Sequence, residues 1–139
     1  MYKVEAIVRE EKLEDVKEAL VEEDIRGMTI SQVMGCGVQM GFTELVRGNE
    51  IAVNMIPKIK FEILVSNEVW RDRAIEAIRR AAWTGEPGDG KIFAYYVDTA
   101  LRIRTAERNE EAVTPTDEEG ARDHTRRQKK TDELNRKKL

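Results

Sequence analysis

Two runs of strict two-residue alternation constrain this chain more than any other feature. Tyr2, Val4, Ala6 and Val8 interleave with Lys3, Glu5, Ile7 and Arg9, and Ile59, Phe61, Ile63 and Val65 interleave with Lys58, Lys60, Glu62 and Leu64. A period of two sends the two sets to opposite sides of a strand, so each run predicts a strand with one face committed to a core. Helical periodicity follows each run. Leu13, Val16, Ala19 and Leu20 recur at helical spacing, with Glu14, Asp15, Lys17 and Glu18 facing out and Gly27 ending the region. Asn67 is placed to cap a second helix, whose apolar side is Trp70, Ala74, Ile75, Ile78, Ala81 and Ala82.

The β-rich stretches Met28 to Val33 and Lys91 to Val97 predict two more strands, and Leu101 to Arg104 a short further one. The order β-α-β-β-α-β is the ferredoxin-like unit of the α+β class, with helices on one face of an antiparallel sheet. Its other face carries Lys60 and Glu62, which suits either water or another subunit of a symmetric oligomer.

Charged residues make up 37% of the 139-residue chain, above the usual share of about a quarter. Residues 114–139 hold 8 Lys and Arg against 6 Asp and Glu, with Ala121, Leu134 and Leu139 as their hydrophobic residues. Such a segment buries too little apolar surface to offset its ordering entropy, so the folded domain is expected over 1–113 and a disordered polar tail over 114–139. Arg126, Arg127, Lys129, Lys130, Arg136, Lys137 and Lys138 give the tail a basic end. That end reads either as an electrostatic arm or as a solvated extension. Residues 1–113 carry 16 Lys and Arg against 21 Asp and Glu, so no cooperating basic face is expected and nucleic acid is an improbable partner.

Cys36 is the one cysteine and His124 the one histidine. An internal disulfide, a thiolate metal cluster and a multi-histidine zinc site are therefore excluded within one chain. A histidine-based triad would have to use His124, which lies in the tail. No apolar run approaches the roughly 20 residues that span a bilayer, and acidic residues interrupt any signal-peptide pattern at the N-terminus. A cytoplasmic chain without stable membrane insertion is the expectation.

Three segments carry candidate chemistry. About 20 residues, 37–57, separate two strands where a hairpin needs only two to five. This segment reads as a mobile recognition loop or as an extended β-ribbon. Thr84 to Lys91 (TGEPGDGK) places three glycines and a lysine where backbone N–H groups can face an anion. Its spacing from Gly85 to Lys91 matches G-x-x-x-x-G-K. However, Ile92 stands where a P-loop needs Ser or Thr, and the segment runs from helix to strand, so an ordinary turn accounts for it equally. Arg102 and Arg104 flank Ile103 and would share one side of an extended segment, to grip polyphosphate or simply to edge the sheet.

Taken together, these residues resemble the PII nitrogen-regulatory signal proteins. The likeness runs from Tyr2 to about Val113 and rests on VEAIVR (4–9), KLEDVK (12–17), GMTI (27–30), GFTEL (41–45), Arg47-Gly48, PKIKFE (57–62), Thr84-Gly85, GDGKIF (88–93) and RIRT (102–105). The tail has no counterpart. The resemblance implies a homotrimer of ferredoxin-like subunits whose three intersubunit clefts bind ATP or ADP competitively. Mg-ATP would then permit 2-oxoglutarate to bind. It also implies that the 37–57 segment, called the T-loop in the family, docks on an ammonium transporter or on a nitrogen-metabolism enzyme or regulator, drawing the protein to the membrane in the first case.

Carried over residue by residue, the resemblance assigns phosphates to Gly88, Asp89, Gly90 and Lys91, with Arg102 and Arg104 reaching in from the next subunit. Ile7, Thr29, Glu62 and Leu64 would enclose adenine and ribose. Gly35, Gly37, Val38 and Gln39 would form the loop base, Gln39 also assisting magnesium. Lys58, with Arg9, Gln39 and Gly88, would hold 2-oxoglutarate, and Lys60 could add to the field of Lys58. Thr43, Glu44, Arg47 and Glu50 would meet the partner, Arg47 entering a channel mouth.

The chain also departs from the pattern. Val46 and Ile51 stand where nucleotidylated members carry tyrosine, and Asn49 where another branch carries a phosphorylated serine, so no covalent switch is expected. Val38 and Met40 replace basic residues, which removes a phosphate contact. The reading is of a non-enzyme sensor. The alternatives are a slow ATPase, with Glu62 as its nearest candidate base, and a nucleic-acid module using the tail.

Overall fold

The computed structural model describes residues 1–37, 44–46, 49–51 and 54–113, with residues 37, 44–46, 49–51 and 54 described by backbone alone. The expectations for Val38, Gln39, Met40, Thr43, Arg47, His124 and the 114–139 tail lie outside the described residues, as do those for the side chains of Glu44 and Glu50. The chain divides into two compact units, Met1–Asp98 and Thr99–Leu139.

In the first unit, β1 (Tyr2–Arg9) leads through a short 3-10 turn into α1 (Leu13–Glu22). β2 (Thr29–Gly37), β3 (Glu44–Val46), β4 (Asn49–Ile51), β5 (Asn54–Val65), α2 (Glu68–Ala82) and β6 (Gly90–Tyr96) follow. The main sheet has the order β2-β5-β1-β6, and all its pairings are antiparallel. The expected ferredoxin-like βαββαβ arrangement is therefore present.

Alternation decides which face is buried. Val4, Ala6 and Val8 of β1 and Ile59, Phe61, Ile63 and Val65 of β5 form one side of the core. Val16 and Leu20 of α1 and Ala74, Ala77, Ile78 and Ala82 of α2 form the other. Small alanines on α2 let that helix pack over β1, and Phe61 on the neighbouring β5 is fully buried. Asn67 caps α2 as expected, its Oδ1 accepting from the Trp70 backbone N–H at 3.1 Å. Ala77, outside the predicted apolar set, is buried on the same side.

Three sequence expectations are corrected. First, the left-handed residue that closes α1 is Asp24 (φ 64°), not Gly27. The Ile25 N–H then bonds back to Leu20 O at 2.9 Å, and Asp tolerates that conformation better than most side chains.

Second, over the described residues of 37–57 the mobile-loop reading gives way to the β-ribbon alternative, since all of them are strand. The β2/β5 register runs unbroken from Thr29 opposite Glu62 to Gly37 opposite Asn54, and β3 and β4 pair with each other inside the span. Gly35, Gly37 and Pro57 hid this, since all three are poor strand residues. Pro57 is tolerated because β1 ends opposite Lys58, which leaves Pro57 a paired neighbour only on the β2 side.

Third, residues 102–105 are a turn and not a strand. In the second unit, Leu101 makes an isolated bridge to Arg108, Arg102 N–H donates to Glu107 O at 2.9 Å, and Ala106 N–H returns to Arg102 O at 2.8 Å. Arg102 and Arg104 therefore do not share one side of an extended segment. A four-residue α3 (Glu110–Val113) follows.

The core makes a graded prediction. Phe61→Ala should cost about 3–5 kcal/mol of unfolding free energy and Asn67→Ala about 1 kcal/mol, both read from urea denaturation. Equal costs would contradict the assignment of Phe61 to the centre of the core.

Candidate functional site

The sheet register gathers the expected site residues on the face that turns away from the helices. Ile7 and Arg9 of β1, Lys58, Glu62 and Leu64 of β5, Thr29 and Gly35 of β2, and Lys91 of β6 all fall on it. Arg9 lies directly opposite Lys58, and Ile7 lies opposite Lys91 on its other side.

Two cations paired across strands repel unless something intervenes. The turn between α2 and β6 intervenes. Arg9 Nε lies 3.0 Å from Asp89 Oδ1, and its Nη2 donates to Pro87 O at 2.7 Å. Lys58 Nζ donates to Gly88 O at 2.5 Å. The turn thus offers a carboxylate and two carbonyls to the two cations.

Asp89 also organises the turn itself. Its carboxylate accepts from Thr84 Oγ1, from Thr84 N–H at 2.8 Å and from Gly85 N–H at 3.0 Å. These hydrogen bonds, Thr84's foremost and Arg9's among them, hold the Asp89 carboxyl far below the usual carboxylate range. The family resemblance gives Asp89 a phosphate-holding role. In the structure its carboxylate bonds donors of the turn and Arg9. Thr84 as a partner of Asp89 was missed, although an Asp able to bond nearby backbone N–H groups is a recognised turn device.

The glycines have separate reasons. Gly85, Gly88 and Gly90 all have positive φ. At Gly90 a Cβ would stand 1.7 Å from Ile7 O, so only glycine lets β6 begin against β1 there. At Gly35 a Cβ would meet Lys58 Cγ at 3.1 Å, so the bare backbone leaves room for the lysine stem.

Beside this cluster the same face carries an ion-pair network. Glu62 lies 2.8 Å from Lys3 Nζ and 3.7 Å from Lys60 Nζ. Glu5 lies 3.5 Å from Lys3 Nζ and 3.9 Å from Lys60 Nζ, and it accepts from Tyr95 OH at 2.8 Å. The hydrogen bond with Lys3 lowers the Glu62 pKa and raises that of Lys3, so both stay charged around neutral pH. Lys60 is thus engaged by two carboxylates and does not simply reinforce Lys58.

Of the residues expected around 2-oxoglutarate, Arg9, Lys58 and Gly88 come together, and Gln39 lies outside the described residues. Of those expected around a nucleotide, Ile7, Gly90 and Lys91 meet at the β1/β6 edge, and Thr29 pairs with Glu62. Arg102 belongs to the second unit, where its guanidinium bonds Glu107 Oε2 at 3.1 Å and Ala112 O at 3.0 Å. Arg104 is exposed in the same turn.

Comparison with known proteins decides the family. The family model described as nitrogen regulatory protein P-II matches residues 1–107. This chain belongs to that family. Nitrogen regulatory protein P-II of Haemophilus influenzae is 51% identical over 113 residues, which is 81% of this chain and 100% of the relative. Its counterpart in Rhodospirillum rubrum is 49% identical over the same shares. Nitrogen regulatory protein P-II 1 of Escherichia coli is 47% identical, again over 81% of this chain and 100% of the relative. The P-II match therefore covers the whole sheet, both long helices and the glycine-rich turn. Among the described residues no helix is long and apolar enough to cross a membrane.

Asp89 sets a pH dependence. Its folded pKa lies below the unfolded value of about 4. Its contribution is therefore fully present above about pH 4 and drains away as the pH falls through the folded value. Asp89→Asn should lower stability at pH 7 and flatten the acid limb of a stability-versus-pH curve. Parallel acid limbs for the two proteins would contradict the role given to Asp89.

Proposed function

We propose that this P-II family chain is a non-catalytic nitrogen-regulatory signal protein that binds ATP or ADP competitively, with 2-oxoglutarate as a second effector requiring Mg-ATP. The observation that carries the reading is the Arg9–Lys58 pair held beside the glycine-rich turn 84–90. A dianion needs convergent cations with donor geometry, and Arg and Lys on opposed strands supply both. Three positive-φ glycines bring backbone close to a ligand, and Lys91 sits at the end of the turn as a phosphate cation.

In this reading the protein works as a cytoplasmic homotrimer, with Arg102 and Arg104 of a neighbouring subunit completing each nucleotide site. Ile7, Thr29, Glu62 and Leu64 line the base and ribose, and Gln39 assists magnesium. The magnesium ion would neutralise phosphate charge and help orient the second effector. The T-loop, with Thr43, Glu44, Arg47 and Glu50, carries the output to an ammonium transporter at the membrane or to a nitrogen-assimilation enzyme or regulator. Each ligand acts by favouring one loop state over another. Without tyrosine at 46 or 51 or serine at 49, the output is non-covalent.

Glu62 argues against hydrolysis. A general base must accept a proton near neutral pH, and Lys3 and Lys60 push Glu62 the other way.

Calorimetry tests the reading. ATP and ADP should compete for one site per chain. Lys91→Ala should weaken both by about tenfold or more, the worth of one charge-assisted hydrogen bond. Lys58→Ala should abolish 2-oxoglutarate binding while leaving ATP binding in place. An absence of nucleotide binding, or 2-oxoglutarate binding that needs no Mg-ATP, would overturn the proposal.

A further inference from the structure

We propose that Cys36, Met34 and Met55 form a binding site for a soft monovalent cation, copper(I), at the far end of the β2/β5 ribbon. The inference goes beyond the nucleotide reading and uses the opposite face of the sheet. The register places Cys36 directly opposite Met55, and Met34 opposite Pro57. Residues two apart share a face, so all three sulfur-bearing side chains project on the side away from Lys58.

The spacing suits convergence on one ion. Directly opposed Cβ atoms lie about 4.5–5.5 Å apart and diagonal ones about 7–8 Å. Cys36 and Met55 form the direct pair, and Met34 and Met55 the diagonal pair. Methionine has three rotatable bonds before its terminal methyl, so both thioethers can swing toward the Cys36 sulfur.

Exposure points to an unfilled role. Met34 is 55% exposed and Met55 60% exposed, and Cys36 is exposed as well. The core is closed further along the same face by Ile59 and Phe61 without any of the three sulfurs. Burial therefore does not account for three sulfur-bearing residues on that face of the ribbon.

The donor set selects the ion. One thiolate with two thioethers is soft, and soft sulfur donors favour Cu(I) over hard cations. Among the described residues no group of three His, Cys, Asp or Glu side chains is arranged to hold a metal, so harder ions find no competing cage there. Binding is a simple exchange. The Cys36 thiol loses its proton to solvent, a sulfur–copper bond forms, the thioethers donate lone pairs, and copper stays in the +1 state throughout.

The experiment uses the full chain, copper supplied as Cu(I) without oxygen, and a chromophoric Cu(I) chelator as competitor. One Cu(I) per chain should be taken from the chelator. Cys36→Ser should lose it, and the Met34→Leu/Met55→Leu double variant should hold it at least about tenfold more weakly. Leucine keeps the size of methionine, and an unchanged circular dichroism spectrum shows that each variant folds. X-ray absorption should show a shell of sulfur alone. Equal retention by the double variant would mean a lone-thiol adduct and would overturn the proposal. Retention by Cys36→Ser, or a nitrogen and oxygen shell around the metal, would do the same.

Discussion

Arg9 on β1 and Lys58 on β5 face each other across the two central strands, and the rest of the site is arranged around that opposition. Two like charges at a cross-strand pair repel, and the fold tolerates them because the α2–β6 turn places a carboxylate and two carbonyls over them. The turn holds that shape through Asp89, which gathers Thr84, Gly85 and Arg9 onto one carboxylate. Gly90 then lets β6 start within reach of the Ile7 carbonyl. Sheet, turn and cation pair form one connected arrangement. A dianionic ligand would enter it by offering the cations a stronger partner than backbone carbonyls.

The two faces of the sheet do different work. The helix-facing side is a closed apolar core centred on Phe61, which fixes strand register because a one-residue slip would turn every buried side chain outward. That register in turn decides which polar residues meet on the opposite side. The network of Lys3, Glu5, Lys60, Glu62 and Tyr95 keeps this side charged but mutually compensated, while Arg9 and Lys58 sit at its margin beside the turn. The geometry of this candidate site therefore depends on hydrophobic alternation on the reverse face.

Much of this was legible in the sequence. Alternation in 2–9 and 58–65 gave both central strands, helical spacing gave α1 and α2, and Asn67 marked the start of α2. The face shared by Ile7, Arg9, Lys58 and Glu62 follows from parity alone. What escaped was chemistry that pattern cannot carry. The extension of β2 and β5 past Val33 and before Lys58 depends on mutual hydrogen bonding through Gly35, Gly37 and Pro57, whose propensities argue against it. The role of Asp89 depends on a fold-back over five residues to Thr84, and the turn at 102–105 depends on backbone bonds to Glu107 and Ala106. The ligands proposed for the site rest on the family resemblance, since no spacing in the chain names a ligand.

The most direct test of the central claim, that Arg9 and Lys58 with the adjoining turn form the anion site, is a crystal structure of the chain with Mg-ATP and 2-oxoglutarate. The account predicts that Lys58 Nζ leaves the Gly88 carbonyl as its main partner and meets a carboxylate of 2-oxoglutarate, with phosphates along Gly88 to Lys91. Both ligands bound elsewhere, with Lys58 still on Gly88 and Arg9 still on Asp89, would contradict it.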